Sequence, residues 1–354
     1  MTAPAPPPTG LTTSPPSTLS SALPSALPSA LPSALRTRPH HAVLRRSRDG
    51  VQLGVLPGRA VEVTGLAEPL RRLLLELHGG WPVEMLVRRA VALGAQEAGA
   101  RALLAELHAA GALVDDAAHR GGIQARRAAS VLVVGSGPLL PGVLAGLAAG
   151  GVRTLSVVAH GRAPADPHGV PEPRGELLDD AGDERGAPWL VAARGAVRRA
   201  APGVRVRGGR PRARPTLVVL VEEDATAPEG AGARGVPHLA ARLVDGVGVV
   251  GPLVLPGRSA CGRCVDLHRA DRDPHWPSVA AGLLGRTGTA SPATAEATAA
   301  LVAEQSLLTV DALASGGSFP GSFGAELRLD LAEGSVRTRR WRPHPGCPCH
   351  PAVR

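Results

Sequence analysis

Residues 130–140 read SVLVVGSGPLL. Val131, Leu132, Val133 and Val134 form an unbroken apolar run, the pattern of a strand buried on both faces of a parallel sheet. Gly135 and Gly137 follow at once, and residues 143–149 then have the composition of an apolar helix. TLSVV (154–158) is the next apolar run, and TLVVLV (216–221) comes after a long Pro-, Gly- and Arg-rich stretch. Strand, glycine turn, helix and strand make a βαβ unit, which predicts an α/β domain with a Rossmann-type parallel sheet. Glycines between strand and helix are also the setting of a nucleotide-binding turn, so Gly135 and Gly137 are candidate cofactor residues.

Outward from this stretch the chain divides by composition. Residues 1–38 are Pro-, Ala- and Ser-rich. SALPSALPSALPSAL (21–35) repeats every four residues with a proline between copies, which predicts a disordered, partly polyproline tail. Residues 40–118 read as a small α+β domain. VQLGV (51–55) and RAVEVTGL (59–66) flank Leu56-Pro57-Gly58 as a hairpin. Leucine spacing predicts helices over 67–77, 82–93 and 96–110, with His78-Gly79-Gly80, Gly94 and Gly111 as stops, and ALVDD as a short returning strand. A hairpin with three short helices is a winged-helix-like plan. Residues 119–129 read as a Gly/Arg linker, and 130–354 as the α/β domain. Near its end, a long helix over 293–314 and the hairpin ELRLDLAEGSVRTRRW, turning at Glu333-Gly334, are expected.

The chain has four cysteines in two close pairs, Cys261-x-x-Cys264 and Cys347-x-Cys349. Paired cysteines far apart in sequence are the spacing of a four-thiolate structural zinc site. A redox CxxC is the alternative, and it belongs at the head of a helix in a thioredoxin-like unit. Both pairs sit in Pro/Gly-rich sequence, read here as loops that curl around a metal. His344 and His350 flank the second pair, and DLHRADRDPHWP (266–277) brings Asp266, His268, Arg269, Asp271, Arg272 and Asp273 together as a salt-bridged surface or a partner site.

Composition narrows the function classes. The 354 residues include 39 basic ones, all arginine, for a net charge of +9, yet only 2% are aromatic and tyrosine is absent. Binding to single strands by base stacking needs aromatic platforms that this chain lacks. No apolar run reaches the roughly 18 residues of a membrane span, and no secretory signal pattern opens the chain. The expectation is a cytoplasmic protein whose thiols stay reduced.

The glycine turn, the strand and acids VVLVEED, the segment GVPHLAARLVDGVGVVGPLVLPGRSACGRC and the terminal HPGCPC together resemble the ThiF/MoeB family of ubiquitin-activating-type adenylyltransferases. The resemblance covers about residues 40–354 and is most similar to the ThiF-like proteins of thiazole/oxazole-modified peptide pathways in actinobacteria. In those, an N-terminal PqqD-like domain recognises a leader peptide, and VQLGV…RAVEVTGL…LLLELHGGWPVEMLV resembles that domain. The resemblance implies zinc on Cys261, Cys264, Cys347 and Cys349, ATP and magnesium as cofactors with Asp224 as the magnesium-binding carboxylate, and a homodimer. It also implies a leader peptide or small protein as substrate and a partner maturation enzyme, a YcaO-like cyclodehydratase.

The sequence departs from that pattern at the nucleotide turn. Pro138 and Leu140 replace small residues, Ala159-His160-Gly161 stands where a ribose-binding acid is expected, and the chain contains no lysine. The expectation is a leader-peptide-binding protein with a degenerate nucleotide site. An active adenylyltransferase is the first alternative. A winged-helix DNA-binding regulator is the second, disfavoured because the third helix carries little arginine for base edges.

Overall fold

The computed structural model describes residues 17–20, 31–159, 189–222, 234–283 and 288–349, and the chain divides into two compact units, 1–120 and 121–354. In the first unit β1 (Ser17–Ser20), β2 (Ala34–Thr37), β3 (Val43–Arg45), β4 (Val51–Leu53) and β5 (Val61–Thr64) precede α1 (Glu68–Glu76), β6 (Gly80–Pro82), α2 (Val83–Ala92), α3 (Glu97–Ala109) and β7 (Leu113–Asp115). The hairpin lies where expected. Gly58 takes a left-handed φ of 73° in its turn, and Val51, Leu53, Val61 and Val63 alternate inward and are buried. The helices lie where the leucine spacing predicts them, with Leu73, Leu74, Leu86, Leu104 and Leu107 meeting the hairpin in one core. Gly94 and Gly111, at positive φ, follow α2 and α3.

The expected tail differs from the structure at two places. Ala34–Thr37 is a strand between β6 and β7, with Leu35 fully buried. Ser17–Ser20 lies parallel to β5. Proline spacing alone hides both, because Pro32 ends the repeat two residues before β2 and leaves its donors free to pair. The other residues of the predicted tail up to residue 30 lie outside the described residues. The expected linker is also corrected: α4 (Asp116–Ala128) is a continuous helix through Gly121 and Gly122. Asp116 in its first turn and Arg126 and Arg127 in its last suit the helix dipole. Arg126 makes a two-pronged ion pair with Asp311 at 2.8 and 2.5 Å, which holds the last turn of the helix despite the low helix propensity of two glycines.

The second unit continues with β8 (Ser130–Gly135), α5 (Leu139–Ala149), β9 (Thr154–Ala159), α6 (Trp189–Ala200), β10 (Arg205–Gly208), β11 (Leu217–Val221), β12 (His238–Val244), β13 (Val247–Val254), α7 (Gly262–Ala270), α8 (Trp276–Leu283), α9 (Pro292–Ser315), β14 (Ala325–Asp330) and β15 (Ser335–Arg340). Its sheet runs β10-β9-β8-β11-β12-β13-β14-β15. The first five strands are parallel and the last three antiparallel, so the expected parallel sheet is a mixed one with an antiparallel extension. α6 and β10 fall in the stretch that sequence left unpatterned. Ala192, Ala193, Ala196 and Val197 form a helical face, but alanine marks such a face weakly.

α9 is long and apolar enough, by length and composition, to cross a bilayer. Here it is a core helix. Ser291 caps its N-terminus by accepting the Thr294 N–H at 3.1 Å, and Gly316 ends it at a φ of 68°. Gly142 and Gly146 of α5 and Gly150 at its C-cap face Ala299, Ala303 and Leu307 of α9, so closely that a Cβ on any of the three would overlap its partner. Gly142 is out of register for a nucleotide turn, but its place in this small-residue stripe explains it.

Candidate functional site: the glycine turn and the four-cysteine cluster

β8 lies between β9 and β11, so the chain winds to either side of it. The carboxyl ends of β8 and β11 flank the switch point where open α/β sheets place ligands. Gly135 ends β8 at a φ of 138°, and Gly137 has a φ of 86°. Both glycines have a conformational reason independent of any ligand. A Cβ at Gly135 would collide with the Val221 carbonyl, and Ser136 N–H donates to that same oxygen at 3.3 Å. Pro138 precedes α5 without a side-chain cap, and Leu139 and Leu140 are fully buried in the core behind the turn. Leu140 therefore fills the core where the nucleotide pattern expects a glycine, and Pro138 brings no N–H to the helix N-terminus. Ala159 is the last residue of β9. Asp224, with His160 and Gly161, lies outside the described residues.

Glu222, the first acid after β11, stands out in the structure alone. Its backbone is left-handed, with a φ of 56°, and its N–H donates to Ala241 at 2.9 Å. Oε1 accepts the Leu243 N–H at 2.7 Å and Oε2 the Gly288 N–H at 3.1 Å. Burial pushes this carboxyl up to about 7, against the pull of those two hydrogen bonds and of Arg242. A non-glycine residue at positive φ beside a switch point is a structural signal that sequence cannot carry.

The two cysteine pairs come together. Cys261 lies 3.8 Å from Cys264 and 3.6 Å from Cys347, sulfur to sulfur, and Cys264 lies 3.3 Å from Cys349. Four thiolates around zinc at about 2.3 Å stand about 3.8 Å apart in a tetrahedron. The cluster fits that geometry closely, and none of the four is in a disulfide. Burial pushes the Cys261 thiol up to about 11 and the Cys349 thiol higher still, whereas at Cys264 burial is outweighed by hydrogen bonds from the neighbouring backbone and sulfurs, which hold that thiol below its ordinary value. The cluster can hold a metal ion.

The first pair does not sit in a loop, as expected: Cys261 is the N-cap of α7 and Cys264 lies in its first turn. A CxxC at a helix start also suits redox chemistry, but the second pair 83 residues away completes a ligand set. His344 does not join the cluster. Its Nδ1 accepts the Gly346 N–H at 3.0 Å, which leaves the proton on Nε2, donated to Asp271 at 2.9 Å. Around it the polar residues of α7 are paired: Arg269 with Glu326 at 2.7 Å, and Asp266 with the Trp276 N–H at 3.0 Å. Arg269 also lies over the Trp276 and Trp341 rings.

A mainly parallel α/β unit with a glycine turn at its switch point and a four-cysteine cluster defines the class of the second unit. Among solved structures the chain is similar to E. coli MccB with AMPCPP and selenomethionine MccA, at a TM-score of 0.64 and 12% identity over 90% of this chain and 100% of that one. It is similar to E. coli MccB with ATP at 0.63 and 12%, with the same coverage. The heterocyclase TruD gives 0.52 and 18%, over 90% of this chain and 43% of TruD. At such identities the likeness shows a shared fold. No family model matches the sequence, and no curated protein does.

Proposed function

We propose that this chain is a ThiF-like protein of peptide modification that binds a leader peptide and presents it to a cyclodehydratase-type maturation enzyme. The observation that carries the reading is the fold shared with MccB along 90% of the chain, where MccB was solved with MccA. The likeness to a heterocyclase adds to it. Residues 40–118 act as the PqqD-like recognition domain. An extended peptide adds as a strand to the edge of β5, where backbone hydrogen bonds supply affinity and neighbouring pockets supply selectivity. The DNA-binding alternative is disfavoured because Arg101, the one arginine of α3, is held by Glu84 and Glu97 at 2.9 and 3.0 Å.

Cys261, Cys264, Cys347 and Cys349 hold a structural zinc, whose closed thiolate shell leaves no position for substrate. The nucleotide site is degenerate, because Pro138 brings no N–H to the helix N-terminus and Leu140 stands where the pattern has a glycine for close helix–strand packing. The active adenylyltransferase is the second reading, favoured by the shared fold with ATP-bound MccB. In it Asp224 holds the magnesium ion. The chain works in the cytoplasm as a homodimer.

Two measurements test this. Selection of extended peptides from a displayed library against the full-length chain should return binders lost on Thr64→Pro, whose N–H lies on the side of β5 away from β4; a selection without binders sinks the peptide reading, and a shift of duplex DNA in a separate gel assay favours the regulator. Pyrophosphate exchange with ATP, magnesium and a selected peptide should be weak. Robust exchange abolished in Asp224→Ala establishes the adenylyltransferase instead.

A further inference from the structure

We propose that the chain occupies its own peptide edge: Ser17–Ser20 sits on β5 as a resident strand that an incoming peptide must displace. The inference rests on the peptide-binding reading above. β1 runs parallel to β5 with Ser17 beside Val61, Thr18 beside Glu62, Leu19 beside Val63 and Ser20 beside Thr64. The sheet order is β1-β5-β4-β3, so β1 is outermost and covers the row of backbone groups that β5 would otherwise present. An uncovered edge is a template for another chain, and proteins cover such edges.

The sequence explains why this segment takes the place. Pro16 and Pro24 bracket seven residues, 17–23, the longest run without proline ahead of Pro32. The copies that follow leave three residues between prolines, too few for a four-rung ladder, and proline itself donates no N–H. Thirteen residues separate Ser20 from Ala34, and β2 is fixed by the buried Leu35 between two strands. A segment tethered at that distance competes as an intramolecular ligand.

The contact is built to be displaced. β1 is four residues long, pairs on one side only, and pairs parallel, the weaker ladder per residue. β2, in contrast, pairs on both sides. If the tail holds the edge in nine molecules of ten, an external peptide binds about tenfold more weakly than to a bare edge.

The test uses full-length chains carrying Thr18→Pro or Leu19→Pro; alternate residues of a parallel strand donate to its neighbour, so one of the two removes a rung. The probe is a synthetic copy of residues 13–24. It should bind at least one variant about tenfold more tightly than wild type, and amide exchange in Val61–Thr64 should rise in that variant and fall when the copy is added. Exchange at Leu104 reports that the unit remains folded. Equal uptake by wild type and both variants, or unchanged exchange in Val61–Thr64, overturns the proposal. The library-selected peptides separate the two readings. Equal affinity for wild type and variants removes self-occupancy and leaves peptide binding intact. A selection without binders, with the synthetic copy behaving as expected, removes the leader reading and keeps the self-occupied edge.

Discussion

A Cβ built on Gly135 would lie 1.8 Å from the carbonyl oxygen of Val221. β8 and β11 pair in register up to those two residues, so neither strand can retreat without breaking the ladder. Gly135→Ala should therefore leave the chain insoluble or reduce its stability by more than about 4 kcal/mol, the exceptional range reserved for such collisions. Gly137→Ala should be milder, about 1–2 kcal/mol for a left-handed alanine. Urea denaturation of both checks the order; a soluble, stable Gly135→Ala chain contradicts it.

The metal cluster predicts one zinc per chain by elemental analysis. Cys347→Ser should lose it and melt roughly 10 °C lower, as should the wild type after chelation. A native chain without metal whose four thiols titrate freely would refute the site.

Glu222 makes stability depend on pH. Its folded pKa of about 7 lies above its ordinary 4.5, so its contribution is complete below about pH 4.5 and is lost as pH rises through 7. The loss is of order 3 kcal/mol. Glu222→Gln should cost about 1 kcal/mol for one misfit hydrogen bond, yet flatten the fall in melting temperature between pH 5 and pH 8. Parallel profiles for the two chains would exclude Glu222 as the titrating group.

A Cβ on Gly146 would lie 2.6 Å from that of Ala303. Gly146→Ala should cost about 1–3 kcal/mol through overpacking, despite the better helix propensity of alanine. Ala303→Gly added to it should recover part of the loss, a coupling read from a double-mutant cycle in urea. Strictly additive effects would mean that α5 and α9 are not in contact there.

Much of the first unit was legible because its signals are local. Leu56-Pro57-Gly58 and the leucines of α1 to α3 announce their own elements. The helix α4 was not legible, because Gly121 and Gly122 argue for a linker, and what argues against it, the pairing of Arg126 with Asp311 185 residues away and the packing of Ala125 on the core, comes from distant residues. α6 hid behind alanine.

At the candidate sites the residue types were legible and their reasons were not. The chain's four cysteines and their spacing determine a ligand set by themselves, since thiol chemistry belongs to the residue. That Cys264 and Cys349 stand 3.3 Å apart is decided by β13 and α7 on one side and β15 on the other. The two glycines after β8 are likewise written in the sequence, but only the approach of Val221 shows that sheet geometry requires the first. Glu222 becomes distinctive through its left-handed backbone and two N–H donors from Leu243 and Gly288. Sequence determines local periodicity, turn chemistry and donor atoms because these act over a few residues. The tertiary structure decides which distant backbones meet, and with them which glycine cannot be replaced and which carboxylate is buried.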